Sequence, residues 1–210
     1  MKKIGPYSSF EDGINANSLW QGHAASTTIP QCQLSPMSYN LWFPTTKQEK
    51  EECFTYRSPK YHGKFGSEHA GSDYCRAGGT PVFAICPGVV EKNYTGHSDY
   101  SLKLLIVRHW YEDIIFWGHY GHISSSRNEG ETVQGGSKIG EIVYMKGHSS
   151  HLHFGINVFK MYTIYPDKDS KGRKYGWGRT PVGISPDSVG WRDPGKVYVD
   201  PKTTLKTCIE

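Results

Sequence analysis

The segment His151-Leu152-His153-Phe154 has the alternation of a β-strand, with two imidazoles on one face. Side chains two residues apart on a strand point the same way. The two histidines would therefore face a groove, while Leu152 and Phe154 enter a core. Upstream, His69-Ala70-Gly71-Ser72-Asp73 carries an imidazole and a carboxylate four residues apart. Two histidines and one aspartate are what a catalytic zinc site needs, because three protein ligands hold the metal and a fourth position stays open for water. The pattern predicts a zinc-dependent hydrolase.

The composition favours a turn-rich β protein around these motifs. The chain has 210 residues, with 24 glycines, 12 prolines and 14 tyrosines, and that length allows one domain of roughly 150 residues plus extensions. Its apolar runs are of strand size, and none approaches the roughly 20 residues of a membrane helix. The formal charge of +4 mildly favours anionic surroundings such as a cell wall. No lysine or arginine run is long enough to indicate nucleic acid.

The chain divides into an irregular arm and a region of short strands. Residues 1–52 lack a steady hydrophobic period, apart from a possible short helix at residues 46–52, and are interpreted as an arm that packs on or covers the rest. From Cys53 onward the pattern is strands and turns, including a predicted hairpin of residues 101–109 and 113–120. Residues 162–195 are interpreted as a long loop insertion. A last short strand is predicted at residues 196–199.

The cysteines leave the redox state open. The chain has five cysteines, an odd number, at positions 32, 53, 75, 86 and 208, so at least one thiol is free or paired between chains. Cys75 and Cys86 flank a short extended stretch and could bridge adjacent strands in an oxidising compartment. The alternative is that they are small buried apolar residues.

Several motifs, in order, resemble the M23 zinc endopeptidases, the lysostaphin-like family that cuts the peptide part of bacterial peptidoglycan. The resemblance covers residues 56–158. Its motifs are Arg57-Ser58-Pro59, His69-x-Gly71-x-Asp73, Gly79-Thr80-Pro81-Val82-x-Ala84, Gly88-Val89-Val90, Tyr120-Gly121-His122-Ile123-Ser124, Gly130-x-x-Val133, Gly136, Ile139-Gly140 and His151-Leu152-His153-Phe154. Gly155 departs from the family, since an acidic residue often follows the last motif there. Tyr198-Val199-Asp200-Pro201 is similar to the family's terminal Val-Asp-Pro.

The resemblance implies a fold, a metal site and a catalytic pair. The implied fold is all-β and mainly antiparallel, a lysostaphin-like (duplicated hybrid motif) domain with an open groove over the metal. The implied ligands of one Zn²⁺ per chain are His69, Asp73 and His153. His122 and His151 become the catalytic pair, and their division into base and acid stays open. The implied reaction is the hydrolysis of a peptidoglycan peptide by a metal-activated water.

Other polar residues receive weaker interpretations. Tyr56, Tyr61 and Tyr120 are candidate donors to an oxyanion, although a packed aromatic ring is the simpler interpretation for each. His109 is interpreted as structural, and His119 and Tyr120 as groove or surface residues. A basic cluster in the late insertion, Lys168, Lys171, Arg173 and Lys174, could hold anionic wall polymer or form a solvated loop.

Two alternatives to an active enzyme remain. One is a wall-binding or regulatory module that keeps the fold without catalysis, and it is disfavoured because all five motif residues are present. The other is latency, with residues 1–52 covering the groove and a side chain such as Asn40 reaching the metal. The expected location is the cell envelope or the exterior, although residues 1–9 lack the apolar segment of an export signal. A monomer is the default expectation, and the bond that is cut stays open.

Overall fold

The structure is a computed structural model that describes residues 41–46, 53–95, 103–146, 149–159 and 178–206. These residues all lie in the second of two units into which the chain divides, Tyr39–Glu210. The strands are β1 (Glu68–His69), β2 (Ser72–Cys75), β3 (Pro81–Phe83), β4 (Gly88–Asn93), β5 (Leu104–Tyr111), β6 (Ile114–Gly121), β7 (Ile123–Ser124), β8 (Thr132–Val133), β9 (Lys138–Ile142), β10 (His151–Asn157), β11 (Arg179–Thr180) and β12 (Trp191–Arg192). The helices are α1 (Pro59–Phe65), α2 (Pro194–Val199), α3 (Pro201–Lys206) and a 3-10 turn at Pro186–Val189.

An antiparallel sheet of seven strands forms the centre of the fold. Its strand order is β12-β10-β6-β5-β4-β8, and β2 pairs with β10 outside that path. A three-stranded sheet of order β3-β9-β7 and the short pair β1-β11 complete the strands of the described residues. Every described strand pairing is antiparallel. The mainly antiparallel β fold predicted from the sequence is confirmed.

The longest strands form the predicted hairpin. β5 and β6 pair from Leu104 opposite Gly121 to Tyr111 opposite Ile114. Glu112 lies in the two-residue turn with a φ of 54°, the left-handed conformation that such hairpin turns require. The hairpin carries its apolar side chains into a core shared with β10. Its buried residues include Leu105, Val107, Phe116, Tyr120, Leu152, Phe154 and Ile156.

The prediction of a final strand at residues 196–199 is wrong, because a helix begins just before it. Pro194 opens α2, where its missing N–H costs no hydrogen bond. The Asp193 side chain caps this helix by accepting a hydrogen bond from the Gly195 N–H at 2.9 Å. The preceding late segment, predicted as loop, contains β11, the 3-10 turn and β12 from residue 178 onward. The possible helix at residues 46–52 falls almost entirely outside the described residues, as do Asn40 and the basic cluster.

The disulfide joins Cys53 to Cys75, not Cys75 to Cys86. Cys53 comes close because the chain at Phe54 forms a β-bridge with Asp73, with backbone hydrogen bonds of 2.7 and 2.8 Å on either side. Cys86 is a free thiol that is fully buried in the core, and burial raises the pKa of that thiol. The packing of Cys86 in the core therefore agrees with the alternative of a small buried apolar residue.

Loss of this disulfide should destabilise the fold. The bridge closes a loop with a sequence separation of 22 residues, for which chain entropy gives about 3 kcal/mol of stabilisation. We expect the double variant Cys53→Ser/Cys75→Ser to lose about that much free energy of unfolding in denaturant titrations. Dithiothreitol should destabilise the wild type to the same level and leave the variant unchanged. An equal effect of the reductant on both proteins would contradict the assignment.

His109 forms a buried hydrogen-bond network inside the central sheet. Its Nδ1 lies 3.2 Å from the Pro87 carbonyl and its Nε2 lies 2.8 Å from the Tyr120 hydroxyl. The same hydroxyl accepts a hydrogen bond from the Ile85 N–H at 3.2 Å, so it donates its own hydrogen to His109. A neutral imidazole with its proton on Nδ1 satisfies all these contacts. These contacts support the structural role given to His109.

The His109 network makes stability depend on pH. Burial lowers the pKa of His109 from its ordinary value of 6.5 to about 4. Above pH 6.5 the imidazole is neutral in both folded and unfolded chains, and as the pH falls from 6.5 towards 4 only the unfolded chain gains the proton. The free energy of unfolding should therefore fall by about 3 kcal/mol over this window. His109→Gln should be less stable at pH 7 and lose less on acidification; identical pH dependence in both proteins would contradict this.

Candidate metal centre

The register of β10 assembles the residues of both histidine motifs. His153 lies opposite Asp73 of β2 on one side and opposite Gly121 of β6 on the other. Asp73 and His153, two of the ligands predicted from the sequence, are thus directly opposite each other on neighbouring strands, where side chains approach closely. His122 follows Gly121 at the end of β6, and His151 begins β10. All five predicted site residues lie together.

Three donor atoms form a nearly equilateral triangle. His69 Nε2 lies 3.2 Å from Asp73 Oδ1 and 3.1 Å from His153 Nδ1, and His153 Nδ1 lies 2.8 Å from Asp73 Oδ1. In a tetrahedral zinc site with bonds of about 2.0–2.1 Å, two ligand atoms are about 3.3 Å apart. The triangle is close to that size, and its two imidazoles and one carboxylate are ligand types that zinc takes. The cluster could therefore hold a metal ion.

His69 is held by partners outside the triangle. Its Nδ1 donates to the Thr55 carbonyl at 2.8 Å, which leaves the lone pair of Nε2 directed at the other two donors. The ring stacks on Tyr61 with a centroid distance of 4.2 Å and an interplanar angle of 18°. A backbone carbonyl behind a histidine ligand fixes its tautomer and its orientation. His69 is therefore prepared to act as a ligand.

Electrostatics keep the cluster in the protonation states that metal binding needs. Burial alone would raise the pKa of the Asp73 carboxyl, but the neighbouring His69 and His153 outweigh it and hold that pKa well below the ordinary value. Burial lowers the pKa of His153, with the Asp73 carboxylate opposing the shift. An ionised carboxylate and a neutral imidazole result at neutral pH. Metal ligands must be deprotonated in this way.

His122 and His151 lie next to each other beside the triangle. Their ring centroids are 4.6 Å apart. His151 Nδ1 donates to the Ser149 carbonyl at 2.9 Å, and its Nε2 lies 3.8 Å from Asp73 Oδ2. His122 has a φ of 61°, an uncommon conformation for a residue with a side chain and one often found at functional sites. Burial, followed by the proximity of His151 and His153, holds the pKa of His122 well below its ordinary value.

The remaining sequence candidates lie in other environments. The Tyr120 hydroxyl belongs to the His109 network, Tyr61 stacks on His69, and the Tyr56 hydroxyl donates to Asp187 at 3.0 Å. The expectation that His119 and Tyr120 lie at the groove or surface is wrong, because both are buried. The His119 ring packs against Trp191 at a centroid distance of 4.8 Å. None of the three tyrosines provides a donor atom to the metal triangle.

A glycine that the sequence analysis missed closes the site around His153. The Gly178 backbone approaches so closely that a Cβ there would overlap the His153 ring, with its first collision at Nε2. Gly71 approaches the same ring from another direction, where a Cβ would lie 2.8 Å from Nε2. Gly178 is held in place because its carbonyl accepts from the Ala70 N–H at 3.0 Å. No sequence motif marks Gly178, because it precedes β11 in a segment whose sequence shows no periodicity.

Adding a side chain at Gly178 should weaken metal binding. Gly178→Ala would displace the His153 ring, and we expect the dissociation constant for zinc to rise about 10- to 100-fold, as for other losses of support around a ligand. Competition with a chromogenic chelator measures this directly. Gly183→Ala is the matched control: its φ of 86° resembles the 88° of Gly178, but nothing lies within 4 Å of its Cβ position. Equal loss of affinity in both variants would show that backbone strain, not contact with His153, is responsible.

Comparisons with known proteins found one family model and several solved structures to which the chain is similar. Residues 67–166 match the sequence model of peptidase family M23. The fold is similar to the solution structure of lysostaphin, with 23% identity over 60% of this chain and 45% of that chain and a TM-score of 0.41. It is also similar to a zinc-containing peptidase from Vibrio cholerae, with 22% identity over 54% and 35% of the two chains and a TM-score of 0.40. A third likeness is to the catalytic domain of a mutant of the prophage-encoded M23 protein EnpA from Enterococcus faecalis, with 22% identity over 55% and 87% and a TM-score of 0.42. No protein of curated function matches the chain significantly in sequence.

Proposed function

We propose that this chain, whose residues 67–166 match the sequence model of peptidase family M23, is a zinc-dependent endopeptidase that hydrolyses peptide crosslinks of bacterial peptidoglycan. The observation that carries the proposal is the triangle of His69, Asp73 and His153 with two further histidines beside it. In this proposal residues 53–205 are the catalytic domain and residues 1–52 an arm that precedes it.

The three triangle residues would hold one zinc ion per chain. Bound by these residues, zinc would supply the Lewis-acid chemistry for polarising a peptide carbonyl and for lowering the pKa of a water molecule to about 7. The pairing of β10 with β2 fixes two of these ligands on a rigid sheet. Burial of the triangle excludes bulk water from the ligands, which strengthens their electrostatic action.

His151 is the residue we assign as general base. Its Nδ1–H donates to the Ser149 carbonyl, so the lone pair of Nε2 is available to take a proton. That nitrogen lies 3.8 Å from Asp73 Oδ2, at the edge of the ligand triangle. The Asp73 carboxylate also stabilises the imidazolium that forms. His151 would thus remove the proton of the attacking water and later return it to the leaving amine.

His122 is assigned a hydrogen-bonding role beside His151. Its lowered pKa keeps the ring neutral at neutral pH, so it neither repels the metal charge nor competes for the proton taken by His151. A neutral imidazole carries one N–H donor, which would stabilise the oxyanion that develops on the substrate carbonyl. His122 adopts a left-handed backbone conformation directly after the end of β6.

The proposed location is the cell envelope or the exterior. The disulfide between Cys53 and Cys75 supports it, because such bonds persist in oxidising compartments. Among the described residues, no helix is long and apolar enough to cross a membrane. A non-catalytic wall-binding module is the competing function, and retention of the three ligand residues and both neighbouring histidines argues against it.

Mass spectrometry of fragments released from purified peptidoglycan by the zinc-loaded chain tests the proposal. We expect new amine termini with the wild type and none with His69→Ala, and their masses would name the bond that is cut. His151→Ala should keep zinc at one per chain while turnover falls about 100- to 10,000-fold. Chelation should abolish release and added zinc should restore it.

His62→Ala is the matched control for these histidine variants. The His62 ring is half-exposed, its Nδ1 pairs with Glu68 at 2.9 Å, and it is not one of the three residues of the metal cluster. The His62→Ala variant should release fragments at the wild-type rate. Absence of release from several wall types by a chain with bound zinc would overturn the enzyme assignment in favour of the binding module.

A further inference from the structure

We propose that a second site, a cleft distinct from the metal triangle, binds the free carboxylate of a peptide. The cleft has a volume of about 660 Å³. It is lined by Tyr56, Arg57, Asp187, Arg192, Asp193 and Lys196, among others. The inference does not depend on the enzyme assignment, because it concerns binding by residues outside the triangle.

The guanidinium of Arg192 is the central feature of the cleft. Arg192 is only 5% exposed. Its Nη1 donates to the carbonyls of Asp187 at 3.2 Å and Trp191 at 2.5 Å. Its Nε and Nη2 are buried without a hydrogen-bond partner. Buried donors of a charged group are rarely left unpaired, because desolvation without a hydrogen bond is unfavourable.

The unpaired atoms define the class of ligand. Nε–H and the adjacent Nη2–H form one edge of the planar guanidinium, the fork that accepts the two oxygens of a carboxylate or phosphate in parallel hydrogen bonds. Nη1 is already held by two backbone carbonyls, which fix the orientation of this edge. An oxyanion with two coplanar oxygens is the complement of that edge.

The charges of the lining favour a single negative charge. Asp187 is occupied, since its carboxylate pairs with Arg57 at 3.0 Å and accepts from the Tyr56 hydroxyl at 3.0 Å. Asp193 accepts from the Gly195 N–H. The lining has three cationic and two anionic side chains, so its net charge is +1, and Lys196 among the cations is exposed. A carboxylate neutralises this net charge, whereas a phosphate dianion would be repelled by the two aspartates.

The cleft adjoins the segment that supports the metal ligand His69. Thr55 provides the carbonyl behind His69, and the Arg57 N–H donates to the His69 carbonyl at 2.9 Å. Tyr56 and Arg57 of that same segment line the cleft. A peptide anchored by its carboxylate in the cleft would therefore start next to the backbone that carries the metal site. This arrangement suits an accessory subsite for peptides with free carboxyl ends.

Amide and side-chain NMR of the isotope-labelled, zinc-loaded full chain tests the proposal. The probes are N-acetyl-Ala-Ala with a free carboxylate, its C-terminal amide, and inorganic phosphate. We expect the free acid alone to shift the Arg192 Nε–H signal and the amide signals of Arg57 and Lys196. Lys196→Gln should weaken its binding about threefold through loss of an exposed charge, and Arg192→Lys at least about tenfold through loss of the fork.

Lys138→Gln is the matched control, because Lys138 is an exposed lysine that pairs with Glu141 on β9. It should bind the free acid as the wild type does. Because Lys196 is exposed, its variant keeps the test valid even if Arg192→Lys does not fold. Three results would each overturn the carboxylate site. The first is equal binding of the free acid and its amide, and the second is tighter binding of phosphate. The third is a set of signal shifts that is confined to His122 and His151 and is the same in Lys196→Gln as in the wild type.

Discussion

The antiparallel register of β10 between β2 and β6 is the constraint on which the metal centre depends. It sets His153 opposite Asp73 and next to Gly121. Because the side-chain period of a strand is two, a slip by one residue would turn both histidines of β10 into the core and bring Leu152 and Phe154 to the site. The apolar side chains of this strand are fully buried. Burial of one face therefore fixes the chemistry of the other.

Two segments remote in sequence complete the centre from outside the sheet. One is the stretch after Cys53, held to β2 by the disulfide and the Phe54–Asp73 bridge, which supplies the Thr55 carbonyl to His69. The other begins at Gly178, which lies against His153. Both hydrogen-bond to the short stretch around β1. The ligands are thus oriented by contacts that close long loops, and these contacts stabilise the site only once the sheet has formed.

The sequence predicted the long strands better than the segment at residues 196–199, for identifiable reasons. β5, β6 and β10 are long and carry a strong apolar pattern, so their period is unambiguous. Residues 196–199 have strand-forming types, yet Asp193 and Pro194 start a helix whose capping overrides propensity. The sequence left the pairing of Cys75 open and offered only Cys86 as a possible partner, because closeness in sequence does not show that Cys53 is close in space. His119 is buried because β12 brings Trp191 over it.

The sequence by itself determined the antiparallel β class and the hairpin, which follow from local period, and the five residues that gather at the centre, which follow from the resemblance of their motifs to the M23 family. Only the tertiary structure decided the Cys53–Cys75 bridge, the tautomer of His151 set by the Ser149 carbonyl, the close approach of Gly178 and the unpaired edge of Arg192. The physical reason is the same for all four. Each depends on a contact between segments or on the hydrogen bond that a folded backbone offers, and neither is encoded in the period of a strand.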